Sequence, residues 1–255
     1  MTRATTPSFV ANRVVARARG GSSSPVIVET DAGLFVAKLR GAGHGLLALT
    51  AEIIVAELAE LLGLPVPERA LLTLPEEVPS DDRNDELADL LRASAGQNLG
   101  FRWLEGARVP GPKELEALDD EFAARVLWLD GLTMNPDRTS KNPNILIWKG
   151  RPWLIDHGSA LTFHHDWAEV SEDSPREAFG YGGHVFEPRL PLLEPWDAEL
   201  ARAVSSQALE AAVARVPDAF LTLDGLDSSR ARLRAAYHAF LWKRLKAPRP
   251  FVQFR

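Results

Sequence analysis

The 255-residue chain contains no cysteine. That excludes disulfides, thiolate zinc sites and a thiol nucleophile. No stretch approaches the roughly 18 uninterrupted apolar residues that a membrane-spanning helix needs. The two longest candidates, residues 46–64 and 118–134, carry Glu52, Glu57 and Glu60 in one and Asp119, Asp120, Glu121, Arg125 and Asp130 in the other. Residues 1–10 lack the apolar core of a signal peptide. Basic charge is also short, with 29 Lys and Arg against 35 Asp and Glu, a net charge of −6. That balance disfavours general nucleic-acid binding, which needs a cationic surplus. A cytoplasmic protein with no membrane partner is expected, with nucleic acid reached only through an acceptor complex.

Hydrophobic content of 45% and charged content of 25% suit a globular chain long enough for one large domain or two lobes. Residues 1–12 are polar and read as loose. Val26-Ile27-Val28-Glu29 and Leu34-Phe35-Val36-Ala37-Lys38-Leu39 flank Asp31-Ala32-Gly33, which predicts a hairpin. Ile54, Leu58, Leu61 and Leu62 share one side of a helix over residues 48–62, stopped by Gly63 and Pro65. Strands are expected at 66–74 and 99–104, with a short helix at 86–93. Pro110-Gly111-Pro112 breaks regular structure and reads as a lobe boundary. Residues 1–109 then form a β-rich N-lobe and 110–255 a mainly helical C-lobe. The C-lobe reads as an amphipathic helix at 119–134, a polar loop at 135–144 and a tight hairpin around Lys149-Gly150-Arg151. A loop-rich stretch to about Pro195 follows, then helices at 198–204, 207–216 and 228–246. The fold class is α+β in two lobes.

One segment carries chemistry. Asp137 is followed five residues later by Asn142, and the predicted hairpin ends in Leu154-Ile155-Asp156-His157-Gly158. Phosphoryl transfer uses this spacing: one carboxylate orients the attacking hydroxyl and takes its proton, while an amide oxygen and a second carboxylate hold Mg2+ against the phosphates. A polar turn before a hairpin is the bland alternative, and the joint pattern outweighs it. Lys38 ends Phe35-Val36-Ala37-Lys38, which resembles the Val-Ala-x-Lys strand whose Lys reaches the α- and β-phosphates of ATP. Alone it reads as an edge lysine, but Glu52, fourteen residues on, is placed to pair with it. Glu57 and Glu60 read as facing water. Gly20, Gly21, Ser22, Ser23 and Ser24 precede that strand, and small residues let backbone N–H groups approach phosphate. No Gly-Lys-Ser/Thr follows them, so they are not a Walker A loop.

Together these residues resemble the HipA-like Ser/Thr kinases, and more distantly the phosphatidylinositol kinases and aminoglycoside phosphotransferases. The resemblance is best over residues 130–158 and extends to 50–67. It implies a two-lobed protein-kinase-like fold, ATP and Mg2+ as cofactors, Asp137 as catalytic base, Asn142 and Asp156 as metal ligands, and Lys38 as the phosphate-binding lysine. It also makes Ser22, Ser23 and Ser24 candidates for autophosphorylation. His157 stands where many kinases have Phe. Asn144, directly before Ile145-Leu146, competes with Asn142, which the spacing favours. The expected activity is transfer of the γ-phosphoryl group to a Ser/Thr hydroxyl of an unidentified, protein acceptor. A small-molecule phosphotransferase and a nucleotide-binding pseudokinase scaffold are the alternatives.

Phe163-His164-His165-Asp166-Trp167 invites a metal reading, but adjacent histidines share one ion poorly. His157 or His164 is expected to hydrogen-bond the catalytic loop instead. Asp130 either braces that loop or is solvated at its helix end, and Arg138 either compensates charge or pairs with a structural acid. Trp128, Trp148 and Trp153 read as core. Phe101 and Trp103 line an adenine pocket or pack. Leu233, Tyr237, Phe240 and Leu241 read as packing of the last helix.

Overall fold

The computed structural model describes residues 6–17, 25–82, 84–221 and 229–253. The fold is mixed α+β and divides into two compact units, Met1–Leu49 with Pro67–Gly106, and Thr50–Val66 with Ala107–Arg255.

In the first unit six strands form one sheet: β1 (Ser8–Val10), β2 (Arg13–Arg17), β3 (Val26–Thr30), β4 (Gly33–Lys38), β5 (Arg69–Leu74) and β6 (Gly96–Arg102). Their order is β1-β5-β6-β4-β3-β2. The β1–β5 pair is parallel and the other pairs are antiparallel. Alternation sets the inner face. Val26 and Val28, Phe35 and Ala37, and Ala70, Leu72 and Leu74 are buried together with Leu87 and Leu91 of α2 (Asp85–Ala93). The Asn84 side chain caps α2 by accepting from the Leu87 N–H at 3.1 Å.

Residues 7–12 are not loose. Ala11 N–H donates to Thr73 O at 2.9 Å and Asn12 N–H to Glu29 O at 2.8 Å. Two adjacent residues thus join β5 to β3 at opposite sides of the sheet, which curls onto itself. A strand of three residues is too short for period-two alternation to reveal. Gly100 on β6 is required by packing, because a Cβ there would sit 2.5 Å from Leu72 Cδ1.

In the second unit, α1 (Gly45–Leu61, from Thr50 onward) is followed by α3 (Pro112–Glu116), α4 (Asp120–Thr133), the hairpin β7 (Ile145–Trp148) and β8 (Arg151–Leu154), α5 (Leu193–Ala203), α6 (Ser206–Ala214) and α7 (Arg230–Leu245). The Asp119 carboxylate caps α4, accepting from Phe122 N–H at 2.6 Å. From Phe122 to Thr133 every residue of α4 except Arg125 is buried. The helix is therefore central rather than amphipathic, its charged first turn being the exposed end. α5 and α7 pack against it. Gly131 is part of that packing: a Cβ there would lie 2.0 Å from Tyr181 Oη and 2.9 Å from Phe251. The buried Arg244 of α7 donates to Gly131 O at 2.9 and 3.1 Å and to Glu177 O at 2.7 Å.

Several side chains depart from their expected settings. Glu57 is buried rather than solvated and meets Arg215 at 3.5 Å. Trp128 is core, whereas Trp148 and Trp153 are half-buried and meet edge to face at 5.2 Å. Phe101 is buried and Trp103 exposed. Leu233, Tyr237, Phe240 and Leu241 are buried as expected. Among the described residues no helix is long and apolar enough to cross a membrane.

Candidate active site

α4 ends in a left-handed residue, Met134, with φ 54°. The next residue, Asn135, returns its N–H to Asp130 O at 2.9 Å. Its buried side chain donates to Asp130 Oδ1 at 3.0 Å and accepts from Asp137 N–H at 3.2 Å. One amide thus ties the helix end to the backbone of Asp137. Thr139 and Asn142 then close a tight turn through reciprocal backbone bonds of 3.0 and 3.2 Å. The turn brings Asn142 back onto Asp137. Asn142 Nδ2 and Asn144 Nδ2 both donate to Asp137 Oδ2 at 3.1 Å. A carboxylate only accepts, so each amide must face it with nitrogen. The amide oxygens of both asparagines are left to other partners.

The β7–β8 hairpin carries the second carboxylate. Its turn uses Lys149 at φ 49° and Gly150 at φ 75°, the positive angles that a two-residue turn needs to match strand twist. The register pairs Ile145 with Leu154, and Ile155 N–H donates to Asn144 O at 3.0 Å. Asn144 and Asp156 therefore emerge at the same end of the hairpin. Leu154 N–H donates to Pro65 O at 2.8 Å, which anchors β8 to the chain after α1. Among the described residues the five non-glycine residues at positive φ are Met134, Asn144, Lys149, Asp156 and Leu161. Each costs of order 1 kcal/mol or more, and such strain collects where the surrounding structure over-determines it.

Beneath the loop lies a buried ionic node. Arg138 and Asp130 are both wholly buried. Arg138 donates through Nε to Asp130 Oδ2 at 2.7 Å, through Nη1 to Asn144 O at 2.7 Å, and through Nη2 to His157 Nδ1 at 3.2 Å. His184 joins from the other side, with Nε2 3.0 Å from Asp130 Oδ2. Its Nδ1 accepts from Phe186 N–H at 3.0 Å, so the ring proton sits on Nε2 and is donated to Asp130. Burial alone would raise the Asp130 carboxyl, but Arg138 and His184 outweigh it and hold it at about 2. The 183–185 segment is also stitched to the loop by Ser140 N–H on Gly183 O at 3.1 Å and Val185 N–H on Arg138 O at 3.0 Å.

A family model described as HipA-like kinase matches residues 11–232. The chain belongs to the HipA-like kinase family. No curated protein matches it significantly. Among solved structures this HipA-like kinase is similar to a Helicobacter pylori proinflammatory kinase, CtkA, at 11% identity and a TM-score of 0.60. The match covers 97% of this chain and 95% of that one. At that identity the likeness speaks for the fold, a two-lobed protein-kinase-like fold.

The structure of this HipA-like kinase brings Asp137, Asn142 and Asn144 into direct contact and ties Asp156 to them through the hairpin. Glu52 Oε2 accepts from the His157 N–H at 2.9 Å. Lys38 lies buried on β4 of the first unit, opposite Leu99. Gly20, Gly21, Ser22, Ser23 and Ser24 lie outside the described residues. His157 bonds Arg138 of the 135–144 loop, whereas His164 Nδ1 meets Tyr237 Oη at 3.0 Å. Of the open alternatives, Asp130 braces the loop and Arg138 pairs with it. Sequence reasoning gave Asn135 no role and missed His184. Asn135 stands two residues before Asp137, within reach of a local reading, but His184 sits in an aperiodic loop with no signal to mark it.

Proposed function

We propose that this HipA-like kinase transfers the γ-phosphoryl group of ATP to a Ser or Thr hydroxyl of a protein acceptor, with Asp137 as the base. The observation that carries this reading is the setting of the Asp137 carboxylate. Its Oδ2 is held by two amides, while Oδ1 receives none of the described hydrogen bonds. Asp137 also has no salt-bridge partner among the described residues. It is therefore oriented without being neutralised, as a proton acceptor must be. In the proposed reaction the acceptor oxygen bonds to the γ-phosphorus, its proton passes to Asp137 Oδ1, and the bond to the departing ADP breaks.

Asn142 and Asp156 are the proposed holders of Mg2+. An amide oxygen and a carboxylate form the hard, all-oxygen donor set that this ion prefers. Asn142 fits because its nitrogen is engaged by Asp137, which leaves its oxygen free of that bond. When bound, Mg2+ neutralises charge on the transferring phosphates. Lys38 of β4 is the proposed partner of the α- and β-phosphates, Glu52 and the 20–24 segment the accompanying nucleotide-binding residues, and Ser22, Ser23 and Ser24 the proposed autophosphorylation sites.

The test is incubation of the purified chain with γ-labelled ATP and Mg2+, beside Asp137→Ala and Asp156→Ala, with label mapped by mass spectrometry. Label on serine or threonine that disappears in both variants is the expected result. Label appearing only on added small alcohols would favour a small-molecule phosphotransferase. Absence of ATP binding in a calorimeter would overturn the proposal.

A further inference from the structure

The segment that carries His184 is ordered on both sides of that residue. Tyr181 is buried, and its Oη lies 3.1 Å from Leu127 O and 3.0 Å from Phe251 O. The Tyr181 carbonyl accepts from His184 N–H at 3.0 Å, and the His184 carbonyl accepts from Glu187 N–H at 2.9 Å. Gly183, at φ 79°, donates its N–H to Glu187 Oε2 at 2.6 Å. Glycine holds that angle without the steric penalty of a Cβ. A folded turn therefore delivers the His184 ring, and both ring nitrogens are engaged. Nδ1 accepts from Phe186 N–H and Nε2 donates to Asp130 Oδ2, each at 3.0 Å.

The two ring bonds do different things. The bond to Phe186 closes within the segment itself. The bond to Asp130 leaves the segment and ends on a carboxylate that takes part in placing Asp137. Asp130 Oδ1 accepts from Asn135 Nδ2 at 3.0 Å, and Asn135 Oδ1 accepts from the Asp137 N–H at 3.2 Å. Asp130 Oδ2 is shared between Arg138 Nε and His184 Nε2. A buried carboxylate that loses one donor turns towards those it keeps, because an unpaired acceptor is costly in the interior. Loss of the His184 donor therefore loosens the grip of Asp130 on Asn135. The backbone doubles the connection: Thr139 bridges His184, with Ser140 N–H on Gly183 O and Val185 N–H on Arg138 O to either side. Segment and loop meet two residues beyond Asp137.

We propose that His184 is a positioning residue for phosphoryl transfer, its Nε2–H acting through Asp130 and Asn135 to hold Asp137 in place. The proposal rests on the reading of Asp137 as the base. Two amide side chains separate the two ring bonds. Glutamine carries its NH2 at about the distance of Nε2, so it keeps a donor for Asp130 and gives up the acceptor for Phe186 N–H. Asparagine carries its oxygen at about the distance of Nδ1, so it keeps that acceptor and falls short of Asp130.

The experiment compares wild type, His184→Asn and His184→Gln by melting curves, by hydrogen exchange at the Asp137, Thr139 and Asn142 amides, and by turnover of γ-labelled ATP, counted as label on protein or as free phosphate. None of these three amides bonds the 181–187 segment directly, so their exchange reports the loop itself. In His184→Asn they are expected to exchange about tenfold faster and kcat to fall about tenfold, the scale of one lost buried hydrogen bond, with KM for ATP within about twofold. His184→Gln is expected to stay within about twofold of wild type in all of these. A folded His184→Asn with wild-type exchange overturns the proposal, and so does faster exchange with unchanged kcat. His184→Gln as impaired as His184→Asn also overturns it, since the bond inside the segment would then be the one that matters. If His184→Asn does not fold, His184→Gln decides: wild-type exchange and kcat support the Asp130 bond, and their loss refutes it. No turnover in the wild type sinks the reading of Asp137 and the proposal with it, a failure told apart from the others because it appears before any substitution.

Discussion

Replacing Asp130 by Asn tests whether the buried node holds the loop proposed to carry catalysis. Four donor contacts converge on this carboxylate. Asn135 Nδ2 and Arg138 Nη2 approach Oδ1 at 3.0 and 3.4 Å, and Arg138 Nε and His184 Nε2 approach Oδ2 at 2.7 and 3.0 Å. An amide has one accepting oxygen. Whichever way it turns, its NH2 faces two donors, and the wholly buried Arg138 keeps its charge with no counter-ion at Asp130. Breaking a buried pair from one side costs about 3–5 kcal/mol, a large share of the roughly 5–15 kcal/mol that a domain has in total. Urea denaturation of Asp130→Asn is expected to show a loss in that range, with turnover falling as the loop loses its anchor. The control is the double variant Asp130→Leu with Arg138→Met, which removes both charges together. It is expected to recover most of the stability and little of the activity, because the bonds from Arg138 to Asn144 O and His157 Nδ1 are absent. A loss under about 1 kcal/mol in Asp130→Asn with wild-type turnover would refute the bracing role.

Other consequences are equally open to measurement. Gly131→Ala places a methyl group 2.0 Å from Tyr181 Oη; alanine normally stabilises a helix over glycine by about 1 kcal/mol, so an observed loss of about 2–3 kcal/mol in urea, partly relieved by Tyr181→Phe, confirms the close approach. Asn142→Ala is expected to raise the Mg2+ requirement of turnover, while Asn144→Ala lowers kcat about tenfold with little change in that requirement; the reverse pattern moves the metal role to Asn144. The Asp130 carboxyl is held at about 2, below its ordinary 3.8, so its contribution is complete above about pH 4 and is lost as pH falls towards 2. That contribution is on the order of 2 kcal/mol, and the difference in urea stability between wild type and Asp130→Asn is expected to shrink between pH 5 and pH 3. A difference that stays constant over that window contradicts the assignment.

What the sequence made legible was local. The β3–β4 and β7–β8 hairpins announce themselves through apolar alternation and turn residues with the right backbone freedom, Gly33 at φ 103° and Gly150 at φ 75°. The five-residue step from Asp137 to Asn142 corresponds to the tight turn that returns the amide to the carboxylate. What stayed hidden depends on partners far along the chain. Glu57 looks solvated on a helix until Arg215, 158 residues later, meets it. The acids before Phe122 make α4 look amphipathic, though the helix beyond them is enclosed. His184 reaches Asp130 across 54 residues from a segment without periodicity.

The same division separates the groups proposed to react from what holds them. The spacing motif names Asp137, Asn142 and Asp156, but none of these is rigid by its own chemistry. Asp137 and Asp156 lie on connecting segments, Asp156 in a strained conformation. Their positions are set by other groups: the Asn135 amide, the Asp130–Arg138 pair, the Glu52 carboxylate and the His184 ring, the last of them in a segment with no signal to mark it. Each of these is buried, and each bond runs to backbone or to a side chain with a single feasible orientation. Such a layer resists displacement because moving any member leaves a polar group unpaired in a low-dielectric interior. Variants in it should therefore lose activity steeply while the three side chains proposed to react remain chemically intact.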